Sequence, residues 1–239
     1  LCSNIYSDQG TNSIGADQEL QDLYSLLQRP ATSDVIFSKL ATQGINWHFN
    51  PPAAPHFGGL WESGIKSTKY HLKRVLGNQV LTFEEFSTLL AKVEAILNSR
   101  PLCSLSPDPN EFETVSPGHF LIGEPLVAIP QPDLTSISLN RLSRWQLVQQ
   151  AQRAFWKIWS QDYLHQLQQR FKWNSQQPNL KINDLVLIKD KNLAPLSWTS
   201  ALVINTHPGE DGVVRVVSLK TPTGQLKRPV VQLCPLPQE

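Results

Sequence analysis

Two carboxylates and three lysines near the N-terminus have the types and spacing of a site for phosphoryl chemistry. Asp8 follows a predicted strand, and Glu62 begins a helical pattern directly after paired glycines. At 100° per residue, Lys66, Lys69 and Lys73 fall within roughly 40° of Glu62 on one helix face. Carboxylates at a strand end and a helix start can hold Mg²⁺, which prefers hard oxygen ligands. The lysine stripe could then bind the phosphates that lead to such a site.

Each of these features also has a simpler interpretation. An aspartate in a Ser-Asp-x-Gly turn often serves only to form the turn. The charged stripe is also consistent with a solvated helix face, on which each Glu–Lys pair contributes about 0.2–0.5 kcal/mol to the stability of the helix. The combination favours a site, because two ions about 3.5–4 Å apart would activate the attacking oxygen and stabilise the leaving oxygen of a phosphodiester.

The predicted elements around these residues follow from hydrophobic periodicity. They are a strand ending at Tyr6, a helix over 17–28, a strand over 45–49, a helix over 60–76 and a helix from Thr82 to about Arg100. Gly77 suits the C′ position of the 60–76 helix, and Thr82 with Glu85 predicts a capping box for the next one. The expected buried residues are Trp61, Ile65, Leu72, Val75 and Leu76 on the first of these two helices, and Phe83, Phe86, Leu90, Val93 and Leu97 on the second.

The C-terminal part is predicted to contain a linker, one long helix and a small barrel. Residues 101–132 hold seven prolines and no lysine or arginine, with one short helix capped by Ser116 and ended by Gly123. Residues 140–173 predict a helix of roughly 50 Å, which is too long for the core of a small globule and is expected to bridge two bodies or pack on a partner. Short alternating segments over 183–229 predict the barrel.

Composition and charge limit the class of protein. The chain has 239 residues, 40% of them hydrophobic, which suffices for a core and one or two domains. We expect neither a membrane span nor a signal peptide, and three scattered cysteines predict neither a disulfide framework nor a zinc module. Residues 1–140 carry 8 Lys+Arg against 14 Asp+Glu, a net −6, whereas residues 141–239 carry 13 against 6, a net +7. That asymmetry is typical of a segment that faces nucleic acid, and a solvated basic surface accounts for it as well.

Five tryptophans and three histidines are further candidates for functional groups. The tryptophans could form a stacking platform for single-stranded nucleic acid. Packing is favoured instead for Trp145 and Trp159, on the apolar side of the long helix, and for Trp198, which begins a barrel strand. The five tryptophans are Trp145, Trp156, Trp159, Trp173 and Trp198. His48, His56 and His119 have no spacing typical of metal ligands.

Several segments resemble the integrases of retroelements, most closely those of Pao/BEL-type LTR retrotransposons. Residues 7–12, Ser-Asp-Gln-Gly-Thr-Asn, are similar to the segment around the second catalytic aspartate of these enzymes. Residues 47–62 are similar to the segment that ends in the catalytic glutamate. They run from Trp47 through a Pro-Pro pair and a Gly-Gly pair to Glu62. Segments similar to the domain that follows the integrase core are 98–102, 116–123, 144–145, 155–159, 168–173, 184–186 and 228–229. The resemblance covers essentially the whole chain.

This resemblance implies a ribonuclease-H-like core with an Asp, Asp, Glu triad that binds two Mg²⁺ or Mn²⁺ ions. Asp8 would be the second metal ligand and Glu62 the third, while Lys66 and Lys69 match lysines that contact the element's terminal DNA, and Lys73 continues their stripe. The implied reaction is polynucleotidyl transfer, in which a 3′-hydroxyl attacks target DNA. The implied partners are the element's DNA ends, target DNA and further copies of the chain, in the nucleus and away from membranes.

Departures from the family pattern predict that this polypeptide alone does not join DNA strands. The chain begins after the strand that would carry the first aspartate, and the upstream zinc module is absent. We also expect residues 1–100 alone to be poorly stable. Ser13 stands where a large apolar residue is expected, and Asn183 where a glycine often occurs. The 53 residues between Asp8 and Glu62 are more than retroviral enzymes have.

The expected architecture is therefore α+β. It comprises a partial, truncated ribonuclease-H-like integrase core over 1–100, a proline-rich linker over 101–139, a long helix over 140–175 and a small C-terminal β-barrel over 180–239. The leading hypothesis is a fragment of a retrotransposon integrase that binds nucleic acid. The alternative is a non-catalytic nucleic-acid or chromatin-binding protein derived from a retroelement. A third hypothesis is an assembly protein that multimerises through the long helix.

Overall fold

The structure is a computed structural model that describes residues 4–8, 10–27, 46–51, 55–106, 111–168, 178–190 and 192–237. It contains both helices and strands, so the fold class is α+β, as expected. The chain divides into two compact units, Leu1–Tyr70 (unit 1) and His71–Glu239 (unit 2). The division lies inside a helix, whereas the sequence pattern ends the first domain at residue 100.

Unit 1 is built on two parallel strands. Strand β1 (Asn4–Ser7) pairs with β2 (Asn46–Phe49), and helix α1 (Thr11–Leu27) lies between them in the chain. A 3₁₀ turn (Pro55–Gly58) leads into helix α2 (Gly59–Leu76). Helix α1 begins six residues earlier than predicted, because the Gly10 carbonyl already accepts the N–H groups of its first turn. The polar residues of that turn have no apolar period that a sequence pattern could detect.

Unit 2 begins with the end of α2 and has three further helices. They are α3 (Phe83–Asn98), α4 (Pro117–Ile122) and α5 (Arg144–Leu167). Helix α2 ends at Gly77, whose φ of 53° is left-handed, and the capping box of Thr82 and Glu85 is present at the start of α3. Helix α4 begins after Ser116 and ends at the left-handed Gly123. These helix boundaries confirm the predictions made from capping residues.

The buried face of α3 matches the predicted one only in part. Val93 is buried, as predicted. Leu89 and Ile96, which were not predicted, are also fully buried, whereas Phe83 is 81% exposed and Leu90 is 39% exposed. Apolar residues occur on two adjacent faces of this helix, so its periodicity does not identify the buried one. Packing against α5 selects the Leu89–Val93–Ile96 face.

Helix α5 is the central element of unit 2. Its 24 residues span about 36 Å, and its buried side chains include Val148, Phe155 and Trp159. These side chains pack against α3 and the end of α2, and the C-terminal end of α5 meets the last strand. The helix therefore lies within one compact unit and does not link two of them, and its packing on a partner stays a prediction. Gln168 caps the helix, so the predicted extent of 140–175 is too long, and residues 169–177 lie outside the described part of the chain.

The predicted linker includes a small hairpin. Strands β3 (Cys103–Ser104) and β4 (Thr114–Val115) pair in antiparallel fashion, and α4 follows directly. The segment is therefore partly ordered by backbone pairing. Strands of two residues are too short for their sequence alone to reveal them.

The C-terminal strands form one antiparallel sheet. They are β5 (Leu185–Ile188), β6 (Ser200–Pro208), β7 (Val214–Thr221), β8 (Gly224–Pro229) and β9 (Leu233–Pro235). The strand order is β8-β7-β6-β5-β9, so β8 and β9 are the edge strands. Four of the strands were predicted, and β9 was missed because it is short and contains a proline.

Strand β5 is buried on both sides. Val186 and Ile188 pack in a core formed by one face of the sheet, while Leu185 and Leu187 pack with Leu164 of α5. All four residues of this strand are apolar and none alternates with a polar residue, which is typical of a strand covered on both faces. The strand thereby joins the sheet to the helices of unit 2.

An aromatic cluster contributes to the same helix–sheet junction. Trp198, which precedes β6, lies edge-on to Trp156, Trp159 and Tyr163 of α5, with centroid distances of 4.8, 6.3 and 5.7 Å. Burial raises the pKa of Tyr163 to about 12, and its hydroxyl donates to the Pro101 carbonyl. Within the described ranges, no helix is both long enough and apolar enough to cross a membrane.

Candidate functional site

Asp8 directly follows β1 and forms the turn that starts α1. Its Oδ1 accepts a hydrogen bond of 3.1 Å from the Gly10 backbone N–H. The carboxylate is exposed, and a Cβ on Gly10 would approach Oδ1 to 3.0 Å. Asp8 therefore forms the turn, as the simpler interpretation predicts. One carboxylate oxygen, Oδ2, remains for a second role.

The parallel pairing of β1 and β2 determines which part of the chain lies beside Asp8. Ser7 is in register with Phe49, and the Asn50 N–H donates to the Ser7 carbonyl at 2.8 Å. Because parallel strands run in the same direction, Asp8 and Asn50 leave the same edge of the sheet. The loop that leads to Glu62 therefore starts next to Asp8.

Glu62 lies in the first turn of α2 and folds back over the preceding 3₁₀ turn. Gly58 is buried there, and a Cβ on it would lie 2.9 Å from Glu62 Oε1 and 3.0 Å from Trp61 Nε1. A residue without a side chain is thus needed for Glu62 to take this position. The Glu62 side chain is otherwise exposed, and a carboxylate in the first turn is stabilised by the positive end of the helix dipole.

The three predicted lysines are all exposed on α2. Lys66 and Lys69 belong to unit 1, and Lys73 lies in the last turn within unit 2. The predicted apolar arc of α2 holds only in its second half, because Leu72 is buried whereas Ile65 is 52% exposed. The part of α2 that carries Glu62, Lys66 and Lys69 therefore presents mostly solvated side chains.

Asp8 and Glu62 have the donor chemistry that Mg²⁺ takes. Both are exposed carboxylates of unit 1, and within the ranges described no donor other than the Gly10 N–H is recorded on either one. Within the same ranges, no group of three or more His, Cys, Asp or Glu side chains could hold one metal ion. Two carboxylates would suit Mg²⁺ with water and phosphate in its other positions, and a site shared by Asp8 and Glu62 stays a prediction.

The histidines and tryptophans singled out in the sequence have structural roles where they are described. His48 stacks on Tyr6 at 4.7 Å, and the His119 Nδ1 accepts from the Ser116 N–H in a capping box. The side chain of His56 and all of Trp173 lie outside the described parts of the chain. Trp159 is buried, as the packing interpretation predicts, and Trp156 is buried as well, whereas Trp145 is 53% exposed.

Sequence reasoning missed two polar arrangements within unit 2. His71 is buried at the end of α2, with its Nε2 3.2 Å from Asp162 Oδ2 on α5. The ammonium of Lys92 lies above the Trp145 ring and donates to Gln152. The residues of each arrangement are at least 53 positions apart, so no local spacing could have revealed it.

Comparison with protein families gives a match over the C-terminal part of the chain. Residues 143–236, which include α5 and the whole C-terminal sheet, match a family of unknown function (DUF5641). No curated protein matches the chain. The matched region thus contains α5 and the C-terminal sheet, which strand β5 connects, but it contains neither Asp8 nor Glu62.

Proposed function

We propose that the chain belongs to an integrase of a Pao/BEL-type LTR retrotransposon and binds DNA. In the intact protein the reaction is DNA integration by metal-dependent polynucleotidyl transfer. The observation that carries the proposal is the parallel β1–β2 pair, since Asp8 leaves the sheet at the edge where the loop to Glu62 begins. That arrangement is what the resemblance of segments 7–12 and 47–62 implies.

The role of each residue follows from its position. Asp8 and Glu62 would hold Mg²⁺, which supplies charge neutralisation for the attacking and leaving oxygens of a phosphodiester. Lys66 and Lys69 extend along the helix from Glu62 and would pair with successive phosphates. Gly58 allows the Glu62 carboxylate to approach the backbone of the 3₁₀ turn. Positioning and charge supply most of the catalysis in such transfers, because the protein contributes little covalent chemistry.

The finer fold assignment is part of the same proposal. We assign the β1–β2 pair and its helices to a ribonuclease-H-like core, on the strength of the parallel pairing and the motif positions. We assign the C-terminal sheet to a small barrel-like domain, because residues from β5, β6, β7 and β9 converge in one core on a single face of the sheet. The resemblance also implies a nuclear location and self-association.

The metal dependence of DNA binding tests the function. Mg²⁺ should raise the affinity of the chain for double-stranded DNA, and Glu62→Gln or Asp8→Asn should abolish that gain. Glu19→Gln on α1, which removes an exposed carboxylate from the same unit, is the matched control and should retain it. An Mg²⁺ gain that persists in both site variants would contradict the proposal.

The lysine stripe makes a separate contribution that salt reveals. The logarithm of DNA affinity falls linearly with the logarithm of salt concentration. Each phosphate contact that is lost makes this slope shallower by about 0.9 for duplex DNA. Lys66→Gln and Lys69→Gln should each make the slope shallower by about that amount, both with and without Mg²⁺. Unchanged slopes in both variants would show that the stripe is only a solvated surface.

The second candidate is a non-catalytic nucleic-acid-binding protein derived from a retroelement. It is favoured by the exposure of Lys227 and Arg228 on the edge strand β8, in the more basic part of the chain. In that case DNA binding is indifferent to Mg²⁺ and to Glu62→Gln, and Lys227→Gln weakens it. The two candidates therefore give opposite results in the same titration.

A further inference from the structure

A pocket in unit 2 is lined by neither Asp8 nor Glu62. It has a volume of about 300 Å³ and is formed by α3, α5, the extended segment 127–132 and the loop 194–197. Its walls come from four parts of the chain that are distant in sequence. The volume is at the lower end of the range for small-molecule sites, about 300–1,000 Å³.

The half-buried Lys92 of α3 provides a positive charge in the pocket wall. Its ammonium donates to Gln152 Oε1 at 3.0 Å and lies 5.2 Å from the centroid of the Trp145 ring. No carboxylate in the described ranges forms an ion pair with it, and burial lowers the pKa of this amine. An amine held by neutral groups beside a cavity is suited to an anionic ligand.

A second cation and a nearby lysine make the pocket net positive. Arg153 of α5 lines it and is 3.2 Å from Asp133, whose carboxylate also accepts from Thr135. The positive charge of Lys157, one turn further along α5, also lowers the pKa of the Asp133 carboxyl group. Arg153 and Lys157 therefore share one carboxylate, which neutralises at most one of them, and Lys92 adds a further positive charge in the pocket wall.

The remaining walls are apolar or carry amides. Val127 and Ile129 line the pocket while remaining 85% and 83% exposed, and Gln149 and Gln152 lie opposite on α5. Leu196 lines the pocket with a φ of 65°, a left-handed conformation that is strained for any residue with a side chain. Strain of this kind is retained where the surroundings demand it, often at a ligand site.

We propose that this pocket binds a nucleotide, with the phosphate at Lys92 and Arg153. The base would pack on the apolar wall and use the amides of Gln149 and Gln152, which can both donate and accept hydrogen bonds. A simple carboxylate ligand would leave the apolar wall and these amides unused. The site is independent of the metal chemistry proposed for Asp8 and Glu62.

Calorimetric titration of the full chain distinguishes the sources of the phosphate. The probes are inorganic phosphate, a nucleoside monophosphate, the matching nucleoside, an acidic peptide, and a short single-stranded oligonucleotide with and without a 5′-phosphate. The nucleoside monophosphate should bind at least about 10-fold more tightly than inorganic phosphate or the nucleoside, since only it uses both parts of the pocket. A preference for the 5′-phosphorylated oligonucleotide identifies a strand end as the ligand, and equal affinity for both oligonucleotides identifies an internal phosphodiester.

Lys92→Met tests the assignment of the phosphate position. It should lower the affinity for the nucleoside monophosphate about 10-fold or more, as expected for a charge-assisted hydrogen bond. Lys181→Met, at an exposed position outside the pocket, removes one charge elsewhere and should leave the affinity unchanged, and both variants are first checked for a thermal unfolding transition like that of the parent chain.

A second readout keeps the proposal testable if Lys92→Met fails to fold. The indole N–H resonance of Trp145, assigned with Trp145→Phe, should shift on addition of the nucleoside monophosphate because Lys92 lies over that ring. The proposal is overturned by an unshifted resonance, by an acidic peptide that binds as tightly as the nucleotide, or by a folded Lys92→Met variant with full affinity.

Discussion

Gly58 is the residue that most directly controls the position of Glu62. We expect Gly58→Ala to displace the carboxylate, because the new methyl group would lie 2.9 Å from Glu62 Oε1 and 3.0 Å from Trp61 Nε1. The Mg²⁺ gain in DNA affinity should therefore fall toward that of Glu62→Gln, although the free energy of unfolding changes little. DNA titrations with and without Mg²⁺ measure this.

The neighbouring glycine supplies the control for that substitution. A Cβ on Gly59 meets no atom within 4 Å, and this residue starts α2. Gly59→Ala should accordingly keep the full Mg²⁺ gain. Equal losses in both variants would mean that general disturbance of the loop, and not contact with Glu62, is responsible.

His71 makes the stability of the chain depend on pH. Burial lowers its pKa, and Arg74 acts in the same direction, while Asp162 acts against them. A histidine whose pKa is lower in the folded state takes up protons more readily on unfolding. The stability it provides is thus present above the unfolded value of about 6.5 and is lost as pH falls through the lower folded pKa.

Urea unfolding between about pH 7.5 and about pH 5.5 tests this effect, across the unfolded histidine pKa. The free energy of unfolding of the parent chain should fall with pH, and His71→Gln should reduce that fall whatever its effect on absolute stability. His165→Gln, at an exposed position of α5, should retain the slope of the parent. A parent slope unaltered by His71→Gln would refute the assignment.

At the scale of elements, α3 offers a matched pair of substitutions. Leu89 is fully buried and Leu90 is 39% exposed on the same helix. Leu89→Ala should lower the free energy of unfolding by about 2–4 kcal/mol, since it removes buried methyl groups and leaves a cavity. Leu90→Ala should lower it by less than about 1 kcal/mol. Comparable losses would instead favour the face predicted from the sequence pattern.

The same helix shows what a sequence pattern can and cannot determine about an element. The ends of α2, α3 and α4 were predictable, because capping depends on a few neighbouring residues such as Thr82 with Glu85, or Gly123. The buried face of α3 was predicted only in part, since both candidate faces are apolar and α5 decides between them. The hairpin of β3 and β4 and the strand β9 rest on pairing with distant residues, which short segments do not encode.

The candidate site and the Lys92 pocket also differ in how much of them a sequence pattern can determine. The carboxylates and lysines were recognisable from motifs, and the need for a small residue before Glu62 follows from one short turn. Asn183 stands where the resemblance to integrases implies a glycine, and its φ of 74° lies in the region that glycine adopts most readily. Asparagine tolerates that conformation better than other side chains. The Lys92 pocket was not predictable, because its walls come from four separated segments.

At the scale of the whole molecule, the two units differ in how much apolar surface they bury. The β1–β2 pair has two strands, and Tyr6 within it is 64% exposed. Strands β6 and β7 belong to a five-stranded sheet, in which Val203 and Val217 are fully buried. Isolated two-stranded sheets are marginal, and parallel ones are normally covered on both faces.

Amide hydrogen exchange on the full chain should therefore separate the two sheets. The amides of β1 and β2 should exchange at least about 100-fold faster than those at the centre of β6 and β7, because local opening costs far less free energy where few apolar contacts are broken. The exposed amides of the edge strand β8 give an internal reference for hydrogen bonds without burial. Equal protection of the two sheets would require apolar cover on β1 and β2, and self-association of the chain is one source of it. Repeating the exchange over a range of protein concentrations then tests that source, since protection that rises with concentration comes from a second copy.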